Sequence, residues 1–207
     1  MKPTLLGLLL VLLLAGCASS RINAQWSDPQ FSGLPPRGAK VWVVCQAADP
    51  TLRRICADRM AARLAALGAL PLLAPDGSDV AEAAAPTEAV LLQAARGAGA
   101  AALLRAQLAA EVVALAPGPT IGIGIGGFGG SYRSGGSVGF GVSAPLGGAG
   151  PAETGWAATA SLTDVASGRL MWSARASAPP SPDLGQQLST LAALLLDAAR
   201  QAGLFAG

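Results

Sequence analysis

The chain has 207 residues, a formal net charge of +2, 52% apolar residues and no histidine. So small a net charge gives no field to gather nucleic acid, and the missing imidazole removes the commonest general base and the commonest transition-metal ligand. Neither a nucleic-acid partner, nor a metal site, nor an enzyme is expected, and because much of the apolar excess is alanine, a polytopic membrane protein is not implied either.

Met1-Lys2 supplies a short positive region and Leu5 to Leu14 an apolar one, short of the about 20 residues that a membrane span needs. Leu14-Ala15-Gly16-Cys17 then resembles the bacterial lipobox, whose cysteine is diacylated on its thiol and acylated on the amine that cleavage frees. The resemblance implies a signal peptide over 1–16 and a covalent N-acyl diacylglycerol group on Cys17, with no other cofactor. Two or more acyl chains anchor stably where one does not. Ala18 rather than Asp follows the cysteine, which implies the outer membrane, with the protein facing the periplasm. An ordinary secretory signal with a chance cysteine is the alternative.

Residues 17–38 carry Ser, Asn, Asp and the Pro35-Pro36 pair and read as a lipidated tether, with Trp26 and Phe31 its large anchors. Its first nine or so residues span roughly 30 Å when extended, which keeps the body close to the membrane. Residues 39–207 read as a single periplasmic domain of the α/β class, a small mixed sheet with helices packed on it and a glycine-rich β-hairpin insertion.

Lys40 to Cys45 is a β-branched strand run; Asp49-Pro50 starts a helix over 50–67 that Gly68 stops; Ala69 to Ala74 is a short strand. Cys56 shares a helical stripe with Leu52, Met60, Leu64 and Leu67, broken by Arg53 and Arg63, and Cys45 and Cys56 are both expected to face the strand–helix seam. In an oxidising periplasm a Cys45–Cys56 disulfide is expected, two unpaired buried thiols being the alternative. Asp76-Gly77 turns the chain, Pro86 to Arg96 is a second helix, and Ala101 to Ala114 a long strand with Leu104, Leu108 and Val112 on one face.

Residues 118–150 hold 14 of the 27 glycines. In the arms 121–126 and 137–142, period-2 alternation would put Ile121, Ile123, Ile125, Val138, Phe140 and Val142 on one face and glycine on the other, an interaction hairpin; a flexible low-complexity loop is the alternative. Trp156 to Leu162 and Arg169 to Ala176 form a firmer hairpin with Leu170 and Trp172 on one face. A closing helix takes Ser181 as N-cap and Leu184, Leu188, Leu191, Leu195 and Ala198 as its stripe.

Motifs that suggest chemistry fail on context. Gly135-Gly136-Ser137-Val138-Gly139 fits G-x-S-x-G without a following helix or a histidine, and Gly124 to Gly129 fits G-x-G-x-x-G with no helix to receive a pyrophosphate. Asp76, Asp79 and Glu82 suit a solvated turn better than a cation site. Trp42, Trp156 and Trp172 suit packing better than a ligand platform, and Arg53, Arg54, Arg59 and Arg63 a partly solvated helix face.

Through its lipobox, Trp26-Ser27-Asp28-Pro29-Gln30-Phe31, the strand–helix–strand unit, the glycine-rich hairpin, and Leu162-Thr163-Asp164 followed by Gly168-Arg169-Leu170-Met171-Trp172, the chain resembles the bacterial lipoproteins grouped as the domain of unknown function 4136. Its architecture is more distantly similar to periplasmic α/β domains of envelope-assembly lipoproteins and of the curli secretion lipoprotein, which implies a fold and no activity. The expected function is a non-enzymatic structural or accessory binding module of the envelope, held to the membrane by its lipid and partnered by an envelope protein or by further copies of itself. The alternative is an oligomeric secretion or transport component that uses the glycine-rich hairpin as membrane β-strands.

Overall fold

In the computed structural model the described residues are 19–31, 38–75, 78, 86–113, 120–123, 142–145 and 153–205. The fold is mixed α/β. Strands β1 (Arg21–Ser27), β2 (Lys40–Gln46), β3 (Leu70–Leu73), β4 (Ala102–Val113), β7 (Glu153–Asp164) and β8 (Leu170–Ala178) make one six-stranded sheet in the order β1-β8-β7-β4-β2-β3. Helices α1 (Pro50–Ala66), α2 (Glu88–Gly97) and α3 (Leu184–Gln201) complete that unit. A second unit, Val112–Glu153, contains a two-stranded ladder of β5 (Thr120–Ile123) and β6 (Val142–Pro145).

β2, α1 and β3 form a parallel unit, with Val41 opposite Pro71 and Val43 opposite Leu73. The helix starts where the sequence requires: Asp49 caps it, its carboxylate accepting from Leu52 N at 2.9 Å, and Pro50 takes a first-turn position that needs no N–H donor. It ends at Leu67, followed by Gly68 at φ +83°, which a side chain would resist. β4 also lies parallel to β2, while β7–β8 and β8–β1 are antiparallel.

Period-2 alternation assigns each strand's faces. Val41, Val43 and Cys45 of β2, Leu104 and Ala106 of β4, Ala158, Ala160 and Leu162 of β7, and Trp172, Ala174 and Ala176 of β8 join the main core. There α1 brings Cys56, Met60 and Leu64, and α3 brings Leu188, Leu191, Leu195 and Leu196. Alanine on the strands against leucine on α3 pairs small with large side chains, which lets the layers approach closely. On the other face α2 places Leu91 and Ala95 over Trp42, Val44 and Leu103, and Val165 closes this smaller cluster.

Three expectations need correction. Arg21–Ser27, read as tether, is the edge strand β1; being an edge it buries little, and Ile22 is its one partly buried residue. Leu170 does not share a face with Trp172: the register shifts between Leu162 and Thr163, so Trp172 and Met171 are both buried while Leu170 is 40% exposed. The N-cap of α3 is Asp183, which accepts from Gln186 N at 2.9 Å, while the Ser181 hydroxyl accepts from Asp183 N one turn earlier.

Candidate functional site

α2 covers the second face only over β2 and its neighbours. Over β7, β8 and β1 that face carries the residues that alternate with the core: Thr159 and Ser161 on β7, Ser173, Arg175 and Ser177 on β8, and Trp26 on β1, opposite Ser173. β4 adds Arg105 and Gln107, which stand opposite Val44 and Gln46. A shallow depression of about 210 Å³ is lined by Glu88, Arg105, Gln107, Thr159, Ser161, Leu170 and Ser173.

Its charges are already matched. The Arg105 guanidinium lies 3.9 Å from the Glu88 carboxylate at the start of α2, and Arg175 pairs with Glu111. Gln107 Nε2 donates to Gln46 Oε1 at 2.8 Å, and the Ser177 hydroxyl bonds Asn23 Oδ1 at 3.0 Å. No hydroxyl here is bonded to a base, and among the described residues no group of His, Cys, Asp or Glu is arranged to hold a metal ion. The surface can accept and donate hydrogen bonds.

The two sequence elements around Asp28 and Arg169 meet at the rim. Asp28 Oδ2 lies 2.6 Å from Arg169 Nη2, which also donates to Gln30 Oε1 at 3.0 Å. Asp28 Oδ1 accepts from Gln30 N at 2.9 Å, and Asp28 N donates to Met171 O at the same distance. Phe31 packs against the main core, so the stretch from Trp26 to Phe31 fastens the end of β1 to the β7–β8 turn. In that turn Gly168 adopts φ +72° and the Asp164 carboxylate accepts from Ser167 N at 2.8 Å.

The chain's connections gather at one end of the sheet. Val165 N donates to Ala101 O, which sets the end of β7 beside the start of β4 and makes these central strands antiparallel. The end of β4, the start of β7, the end of β8 and the start of β1 thus share one sheet end, Trp156 standing opposite Ala178 and Arg21 opposite Ser177. Here the chain leaves for residues 114–152 and returns, and β1 begins four positions after Cys17.

Of the residues singled out from sequence, Cys45 and Cys56 are joined in a disulfide with their Cα atoms 5.9 Å apart, both buried. Ile121 pairs with Ala144, Gly122 with Ser143, and Ile123 with Val142. Ile125, Val138 and Phe140 lie outside the described residues, as do Cys17, Ser137, the Gly124 to Gly129 stretch, Asp76, Asp79 and Glu82. Trp42 and Trp172 are buried and Trp156 is partly buried against the main core, so all three serve packing. Arg63 bonds Asp197 on α3, Arg53 Nη1 donates to Ala47 O at 3.0 Å, and Arg54 lies 3.3 Å from Asp58. The open polar face was missed, although Ala158-Thr159-Ala160-Ser161-Leu162 and Trp172-Ser173-Ala174-Arg175-Ala176-Ser177 display its alternation.

No protein-family model matches the chain, and no curated protein matches it significantly. Among solved structures it is similar to the PelC dodecamer from Paraburkholderia phytofirmans. A single-substitution variant of that protein in space group C2 superposes with a TM-score of 0.50 at 20% identity, over 86% of this chain and 95% of that one. The form in space group P6 gives a TM-score of 0.50 at 18% identity, over 86% and 94%. At such identities the likeness is one of fold.

Proposed function

We propose that the chain is a lipoprotein anchored to the outer membrane and facing the periplasm, where it works without catalysis, in several copies, as a structural or accessory binding module. The observation that carries this reading is the placement of β1. Arg21 follows Cys17 by four positions and is already a strand residue, so an acylated Cys17 sits within about 14 Å of the sheet end where β1 starts. A domain so moored keeps that end at the bilayer. Lipidation is supported by the lipobox, and association by a fold shared with a protein that crystallises as a dodecamer.

Membrane strands formed by the glycine-rich segment are the weaker reading. Each arm offers only about eight to ten residues of alternating pattern, near the lower limit for a tilted spanning strand. Coverage of that hairpin by protein fits better than coverage by lipid.

The test is fractionation of cells expressing the full chain or its Cys17→Ser variant, followed by native mass determination of the detergent-solubilised wild type. The expected outcome is loss of the variant from the outer-membrane fraction and a wild-type mass that is a multiple of the protomer. A variant that stays in that fraction through a high-salt wash overturns the anchor, and a monomeric wild type overturns association.

A further inference from the structure

The sheet has two edges, and the fold treats them differently. At β3, Leu70 N donates inward to Ala39 O, so the outward backbone positions are those of Pro71 and Leu73. Pro71 has no N–H, and that edge is blunted against strand addition. At β1 the alternation runs from Asp28 N, which donates inward to Met171 O; Trp26 and Ala24 then bond inward to β8, and Gln25 and Ser27 present N–H and C=O outward. Among the described residues no strand pairs with that edge, which contains no proline and one charge, Arg21. Beside it Trp26 is 49% exposed, the largest exposed side chain on the molecule's described surface.

We propose that two copies of this chain associate by antiparallel pairing of their β1 strands, Gln25 of each with Ser27 of the partner subunit about a twofold axis at Trp26. The inference rests on the self-association proposed above and names its surface. An edge of this kind is its own complement. Each Gln25–Ser27 pair exchanges both N–H···O=C bonds, and the two Trp26 side chains meet as the non-hydrogen-bonded pair between them, where Cα atoms approach to about 4.5 Å. Head-to-tail pairing would need the outer edge of β3, which Pro71 disarms. The antiparallel arrangement also sends the two Arg21 charges to opposite ends, where a parallel one would set them side by side. Chains anchored in one leaflet share an orientation, and a twofold axis along the membrane normal preserves it.

Two variants of the full chain test this. Gln25→Pro removes an outward donor and leaves every bond to β8 in place, so in detergent it is expected to halve the native mass of the wild-type assembly, or of its smallest stable subassembly, with an unchanged circular dichroism spectrum. Trp26→Cys, oxidised in intact cells, is expected to run as a disulfide-linked dimer on a non-reducing gel. A folded Gln25→Pro protein of wild-type mass, or a Trp26→Cys protein that does not crosslink, overturns the β1 pairing. Should Gln25→Pro fail to fold, the crosslink alone decides. A monomeric wild type instead overturns self-association itself, so the two failures are distinguishable.

Discussion

Cys45 and Cys56 sit in the main core, 6% and 2% exposed, and their bond ties the end of β2 to the second turn of α1. The bond closes a loop of sequence separation 11, and the chain-entropy relation assigns such a loop about 3 kcal/mol. Replacing both cysteines by alanine is expected to lower the denaturant midpoint by an amount equivalent to about 3 kcal/mol, read from urea curves of the oxidised wild type and the variant. A smaller effect belongs to Arg63 and Asp197, which join α1 to α3 with side chains 33% and 29% exposed. Asp197→Asn should cost about 1 kcal/mol or less, and raised salt should shrink the difference, because solvent screens a pair placed so near the surface.

Among the elements, β1 shows how far local pattern reaches. Strand Lys40–Gln46 and helix Pro50–Ala66 were legible because a β-branched run, an Asp-Pro start and a terminal glycine each act locally. β1 was not, since an edge strand with one half-buried side chain leaves no period-2 apolar signature and its stability comes from β8 and from Arg169, more than 140 positions along the chain. The Leu170 face was misread for a related reason: a register shift is a property of two strands together. The polar face over β7 and β8 was legible in principle, since threonine and serine alternating with alanine give it away, but it holds no motif of a known chemistry to prompt the search. Arg169→Ala should therefore free the end of β1 selectively. Amide exchange at Ala24, Trp26 and Asp28 is expected to quicken by tenfold or so while the global melting temperature moves by only a few degrees. Equal loss of protection in α1 and α3 would show instead that β1 unfolds only with the whole.

For the molecule as a whole, the strand directions put the start of β1, the exit toward residue 114 and the return at 153 at one end, and the Ala166-Ser167-Gly168 turn at the other. A single anchored copy could hold the first end to the bilayer and point the second away, whereas antiparallel β1 pairing about an axis along the membrane normal lays the strands, and so both ends, along the membrane surface. Ser181 and Ala166, both exposed, mark the two ends. A fluorophore on Ser181→Cys and one on Ala166→Cys should therefore both be quenched by headgroup-labelled lipid; quenching of the first alone would mean that the sheet stands on its anchored end and would overturn the β1 pairing about that axis.

That arrangement also decides how the domain carries mechanical load. Under the proposed anchoring, any tug between the acyl chains and the folded body passes through β1, because Cys17 stands four positions before it. When the tug runs along the strand axis, the bonds from β1 to β8 are strained together in shear instead of being peeled one at a time, and Asp28, clasped by Arg169 at the far end of the strand, is the stop against which it would have to slide. An edge strand that contributes little to the core is, under that anchoring, the mooring line of the molecule, and a pull across the strand would find it far weaker than a pull along its length.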